Sequence, residues 1–370
     1  MNTSRRDFLK FGAAAVAASA AVTGCETLSE EQAITKRKLA GLTKLPPAMP
    51  NLQLRPAKTS GKIACKYVDD CIWFLRDIAV TRPKSIFDQP FLGGFKRIHD
   101  ATGLKVQFNL FYRTDNFYDL NEFSLAQMPA DYRAEFQANA DWIRFGLHAL
   151  QEFPDYPWVN SSYEDVAKCL KMIHDEVARF AGDRLFARAL LPHWVPMSKD
   201  GVRACVDGGI RMIYPTSGAR YAYNDDPTIL PYGHHFRLVC NRKPETALWT
   251  RGNYLKELEG LALCGYNHFS PEQQAAQHGK NVYFHDPDTG MNFRCFLTGP
   301  MTCLNVHSME KTREDLEAVK DLDFVAYGDH EQYFYKNYWL YQSEYMEKEM
   351  LCARTLKERG HRFVFMEELV

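Results

Sequence analysis

The sequence predicts an α/β fold: a parallel, barrel-like sheet whose strands alternate with helices and whose polar chemistry gathers at the strand ends. Three observations predict it. Short apolar runs alternate with segments of helical period between residues 63 and 217, the rhythm of βα units. The apolar runs repeatedly end on acids or histidines: Asp69-Asp70, His148, His193, and Asp329-His330-Glu331. In a parallel α/β fold those ends share one face, so they converge. Finally, the rhythm stops at about Gly218 and resumes at Thr312, as expected of an inserted β or irregular subdomain over the mouth of the sheet, rich in Tyr, Asn, His, Gly and Pro.

Taken in order, the chain opens on Ser4-Arg-Arg-Asp-Phe-Leu-Lys10, a twin-arginine export motif, and an apolar run from Phe11 to Val22 too short to span a bilayer. Val22-Thr23-Gly24-Cys25 resembles a lipobox, which predicts a signal peptide over 1–24 and acylation of Cys25. Residues 25–62 contain Lys44-Leu-Pro-Pro-Ala-Met-Pro50 and no apolar period. They read as a tether between lipid and a domain spanning 63–370.

The first strand is expected at Ile63–Asp70, followed by an amphipathic helix from Phe87 to Ala101 that Gly103 stops, and a strand from Leu104 to Phe111. A polar helix follows over Ala130–Ala140. The next strand, with Trp142, Ile143, Phe145 and Leu147 apolar on both faces, ends on His148 with Glu152 four residues beyond. Val166, Leu170, Ile173, Val177 and Phe180 recur at helical spacing and predict a helix from Tyr163 to Phe180. Strand Leu185–Leu191 exits on Pro192-His193-Trp194, helix Lys199–Asp207 follows, and strand Ile210–Tyr214 exits on Thr216 and Ser217. After the insert come helix Thr312–Lys320, strand Phe324–Tyr327, helix Tyr345–Arg359 and a last strand, His361–Met366.

Composition narrows the function classes. A formal charge of −1 without a basic patch gives no argument for nucleic acid, and no apolar segment beyond the export signal suggests a membrane span. Aromatic residues make up 13%, a first hint of sugar binding, since pyranose faces stack on aromatic rings. The cysteines beyond Cys25 lack metal-type spacing and read mostly as buried thiols, with room for one disulfide among those at 240–303.

With these exits side by side, the chain resembles the polysaccharide deacetylase (NodB-homology) family of carbohydrate esterases. The resemblance implies an irregular (β/α)7 TIM-like barrel and rests on Asp69-Asp70 and on His148-Ala-Leu-Gln-Glu152. It implies that Asp69 is the general base, that Asp70, His148 and Glu152 hold a divalent metal, and that His330 is the general acid. The sequence departs from the family in placing a carboxylate, Glu152, at the second histidine's position and Ala149 where a hydroxyl stands. The family's Arg-and-Pro-Tyr motif finds no match, with Leu191-Pro192-His193-Trp194 at its place.

The chemistry of amide hydrolysis suits that set. A metal polarises the carbonyl and acidifies water, Asp69 takes a proton, and His330 supplies one to the departing amine. Zinc is the expected ion, with manganese an alternative. His193 could be a further ligand, a substrate donor or a packed residue; the substrate role is favoured, together with Trp194, Glu331 and Tyr333. His234-His235 and His285-Asp-Pro-Asp288 read as loop chemistry. The expected function is a metal-dependent hydrolase removing acetyl groups from an N- or O-acetylated glycan, held at the bacterial cell envelope by lipid on Cys25. Two alternatives stand: a metal-independent glycoside hydrolase pairing Asp69 or Asp70 with Glu152 or Glu331, or a non-catalytic glycan-binding lipoprotein.

Overall fold

The computed structural model describes residues 49–114, 123–152, 157–158, 161–215, 265–295, 301, 304–338 and 341–370. Its strands are β1 (Gln53–Pro56), β2 (Ile63–Cys71), β3 (Val106–Phe111), β4 (Ile143–Ala149), β5 (Ala189–Leu190), β6 (Met212–Ile213), β7 (Val282–His285), β8 (Asn292–Phe293), β9 (Phe324–His330) and β10 (Arg362–Phe363). The α-helices are α1 (Trp73–Thr81), α2 (Pro90–Thr102), α3 (Arg133–Ala138), α4 (Tyr163–Phe180), α5 (Lys199–Asp207), α6 (Pro271–Gln277), α7 (Met309–Ala318) and α8 (Tyr345–Glu358).

β2 is the hub. It pairs in parallel with β9 over Ile63–Asp69, with β10 at Ile63 and Ala64, and with β3 from Lys66 onward; β4 extends the sheet from β3. The remaining strands form a second sheet in the order β1-β7-β8-β6-β5. A parallel bridge between Phe145 and Phe186 links the two. Among the described residues the hydrogen-bonded ladders do not close into one sheet, so the α/β class with a parallel sheet is observed and the closed barrel is not.

Strand alternation sorts the core into two layers. Ile63, Cys65 and Tyr67 on one face of β2 meet Leu191, Met212, Tyr283 and Phe324 in an inner cluster that both sheets share. Ala64 and Val68 on the other face pack under the helices, where Phe74, Phe91, Phe95, Phe108 and Phe145 interlock at centroid separations of 5.1–6.3 Å. Much of the aromatic content is therefore core. Cys65, Cys71, Cys169, Cys205, Cys295 and Cys352 are buried free thiols; Cys240, Cys264 and Cys303 lie outside the described residues.

Several expectations are corrected. The tether read over 25–62 ends earlier, because Met49 is buried and β1 pairs antiparallel with β7. The stretch read as an insert over 218–309 supplies sheet strands: β8 runs parallel to β6, and β7 antiparallel to β8 and β1. Residues 218–264 lie outside the described residues. The sequence reading also missed α1, whose N-cap position is Ile72 and which has no capping side chain of its own. Its cap is Glu331, 259 residues away from Ile72. No local pattern could announce it.

Below the site, Lys66 locks β2 to β9 and α8. Its Nζ lies 2.9 Å from Asp329 Oδ1 and 3.0 Å from Glu349 Oε1, all buried. Burial opposes the lysine charge, but the two carboxylates more than offset it and hold its pKa above the usual range. Burial, and then Asp329, push Glu349 well above the usual carboxylate range. Beside this cluster Gly328 faces the Tyr67 ring, and a Cβ there would sit 2.0 Å from a ring carbon. Gly328→Ala should therefore cost roughly 1–3 kcal/mol in urea unfolding, as overpacking does. That cost should shrink in a Tyr67→Leu background; an unchanged midpoint for Gly328→Ala would refute the close approach.

Candidate metal centre

Consecutive strand residues point to opposite faces, so two adjacent aspartates at the end of β2 should not share a site. They do because the strand bulges. Val68 pairs with Phe108 but Cys71 with Leu110, and Asp70 takes a left-handed φ of 58°. Both carboxylates then reach the same imidazole: Asp70 Oδ1 is 3.1 Å from His148 Nε2, and Asp69 Oδ1 is 4.0 Å from its Nδ1. A second bulge presents His148 itself. β3 advances one residue, from Leu110 to Phe111, while β4 advances two, from Leu147 to Ala149.

The third member is His193, delivered by the exit of β5. Its Nδ1 lies 3.0 Å from His148 Nε2 and 3.3 Å from Asp70 Oδ1. These three atoms form the one group of possible metal ligands found among the described residues. Their tautomers are fixed from behind. His148 Nδ1 donates to the Leu191 carbonyl at 2.8 Å, and His193 Nε2 donates to the Glu152 carbonyl at 2.9 Å. When neutral, each ring therefore turns a lone pair toward the other and toward Asp70 Oδ1, a buried oxygen to which no other group donates.

Three converging lone pairs repel unless a cation or proton sits among them. Separations of 3.0–3.3 Å match neighbouring ligands around a first-row dication with bonds of about 2.1 Å. The residues fit a metal.

Protonation follows the same geometry. Burial alone would raise Asp70, but His330, His148 and His193 overcome it and hold its carboxyl well below the usual range. Burial pushes Asp69 up to about 6, opposed by His148, His330 and a 2.7 Å hydrogen bond from Asn109 Nδ2. For His148, burial is outweighed by Asp69 and Asp70, and its pKa is raised; His193 is lowered by burial.

The sequence-predicted residues fare unequally. Asp69, Asp70, His148 and His330 come together, with His330 Nε2 3.9 Å from Asp70 Oδ2 and its Nδ1 donating to Asn305 Oδ1 at 3.1 Å. Glu152 does not take the expected ligand position. Its backbone carbonyl turns to His193, and its Oε2 accepts from Gln332 Nε2 at 3.1 Å, an amide that also donates to Asp70 Oδ2 at 2.8 Å. Glu331, expected at the substrate, is fully buried as the cap of α1, where its carboxylate accepts the backbone N–H groups of Ile72, Trp73 and Phe74 at 2.6–2.9 Å. Trp194 and Tyr333 are half-buried at the mouth, 6.1 Å from the His193 ring and 6.2 Å from the His330 ring. Thr216 and Ser217 lie outside the described residues, as does Cys25. Asn109, Asn305 and Gln332 were not foreseen. Their signal was faint: a polar residue inside an apolar strand, or one beside an exit histidine.

Elemental analysis of protein purified without an affinity tag should show near-stoichiometric metal in wild type and little in His148→Ala or His193→Ala. Glu152→Gln should keep it; the reverse pattern would restore Glu152 as the ligand. Glu331→Ala should lower unfolding stability by about 1–3 kcal/mol, the cost of orphaning buried donors, with metal content unchanged. Loss of metal at full stability would instead place Glu331 in the site.

Comparison with known proteins adds the export signal and little else. Residues 2–22 match the family of TAT (twin-arginine translocation) pathway signal sequences, which supports export by that route. No curated protein matches the chain. Among solved structures, the crystal structure of a proposed polysaccharide deacetylase from Mycobacterium smegmatis is 12% identical, covers 82% of this chain and 89% of that one, and superposes with a TM-score of 0.39, a likeness too slight to support an activity.

Proposed function

We propose that the protein is a metal-dependent hydrolase that removes acetyl groups from an N- or O-acetylated glycan, with Asp70, His148 and His193 as metal ligands. The observation behind this reading is the convergence of those three lone pairs, flanked by Asp69 and His330. A metal bound there would polarise the acyl carbonyl and lower the pKa of water. Zinc suits a site of two imidazoles and one carboxylate. Asp69 then serves as base: buried, held by Asn109, and raised to about 6, it lies closer to the working pH than an ordinary carboxylate. His330 serves as acid. Its Nδ1 is engaged by Asn305, which leaves Nε2 to hold the proton that goes to the departing nitrogen or oxygen. Trp194 and Tyr333 offer ring faces for a sugar.

We propose further that the chain is an exported, lipid-anchored protein. The export signal ends at residue 24, Cys25 is acylated after the lipobox-like Val22-Thr23-Gly24, and the tether carries one folded unit outside the membrane. That unit runs to residue 370 as a βα barrel, its two sheets built around the shared inner cluster.

Asp69→Asn should retain metal and lose about 100- to 10,000-fold of acetate release from N-acetylated oligosaccharides, because an amide orients water but cannot take its proton. Asp70→Asn should lose both metal and activity. Wild type that releases reducing sugar without acetate is a glycosidase and overturns the proposal; release of neither from a broad glycan panel points to the binding protein.

A further inference from the structure

The loop that delivers His193 is held in an unfavourable shape. Trp194 and Val195 both have positive φ, 59° and 79°, and for a β-branched residue such as Val195 that region is a true outlier. Such a conformation persists only where its surroundings over-determine it. Here the surroundings are Asn267, which is fully buried. Its Nδ2 donates to the Val195 carbonyl at 3.0 Å and to the Tyr214 carbonyl at 2.9 Å, and its Oδ1 accepts the Met197 N–H at 2.9 Å. One side chain thus ties the C-terminal side of the strained turn, from Val195 to Met197, to the end of β6. The neighbours of Asn267 join the grip. Tyr266 N donates to the Met197 carbonyl at 2.8 Å, and Gly265, with φ +64°, packs so closely that a Cβ would stand 2.6 Å from Met197 N.

We propose that Asn267 is a positioning residue: its amide holds the Trp194–Val195 turn left-handed and thereby keeps His193 Nδ1 on the metal and the Trp194 indole at the mouth. The inference rests on the reading of His193 as a ligand. Its chemistry is that of a clamp with one acceptor and two donors, which no other residue type of the same length supplies. Aspartate keeps the acceptor and loses both donors.

Relief of strain provides the test. In Asn267→Ala the turn relaxes, and the zinc dissociation constant, measured against a competing chelator, should rise by about 10- to 100-fold, as on loss of an orienting partner. Adding Val195→Gly, which adopts positive φ freely, should restore most of that affinity. A second measurement needs no metal. In metal-free protein, His193 should react with diethyl pyrocarbonate roughly tenfold faster in Asn267→Ala than in wild type, since local opening exposes it, and Val195→Gly should reverse the gain. Unchanged modification in Asn267→Ala, or loss that Val195→Gly cannot rescue, overturns the positioning role. Wild type that binds no zinc but shows the modification pattern overturns the metal reading alone and leaves the clamp in place.

Discussion

Everything at this site depends on two extra residues in the strands that flank β3. One lies in β2 between Val68 and Cys71, the other in β4 between Leu147 and Ala149. Without the one in β2, strict alternation would put Asp70 on the opposite face from Asp69, under the helices. With them, Asp69 and Asp70 face His148 together, and the price is backbone strain confined to Asp70. Bulges cluster beside active sites for this reason: they re-aim a side chain without disturbing the strand before it.

The buried charge at the mouth is held by polar groups fixed to the backbone or to the opposite strands. Both imidazoles are oriented by carbonyl oxygens, and Asn109, itself beside Gln107, orients Asp69. The close passage of β4 over that polar pair requires Gly146, where a Cβ would come within 2.6 Å of Asn109 Oδ1. Such support holds donors in place before a ligand arrives, so little reorganisation remains.

The end of β9 shows how densely one stretch can be used. Gly328 makes room for Tyr67, Asp329 meets Lys66 on the helix side, and His330 faces Asp70. Glu331 caps α1, and Gln332 bridges Asp70 and Glu152. Successive residues serve different layers because the strand alternates until its end and then turns into the short 3-10 helix Glu331–Phe334. Asp329, His330 and Glu331, adjacent in sequence, therefore carry three unrelated tasks, of which only that of His330 belongs to the mouth.

The sequence by itself determined what depends on local pattern. Apolar period and turn residues placed β2, β3, β4, α4, α5 and α8 to within a few residues, and the strand-exit rule brought Asp69, Asp70, His148, His193 and His330 to one face. What it could not determine depends on partners distant in the chain. Glu152 stands at the right spacing for a ligand, yet the candidate group contains His193, from another strand, while the Glu152 carbonyl only supports that ring. α1 is capped from residue 331, and strands of 282–293 join β6 and β1 rather than forming a lid. Bulges, non-local caps and the choice between two candidate ligands are settled by register and packing across the sheet, and a one-dimensional pattern holds no record of register.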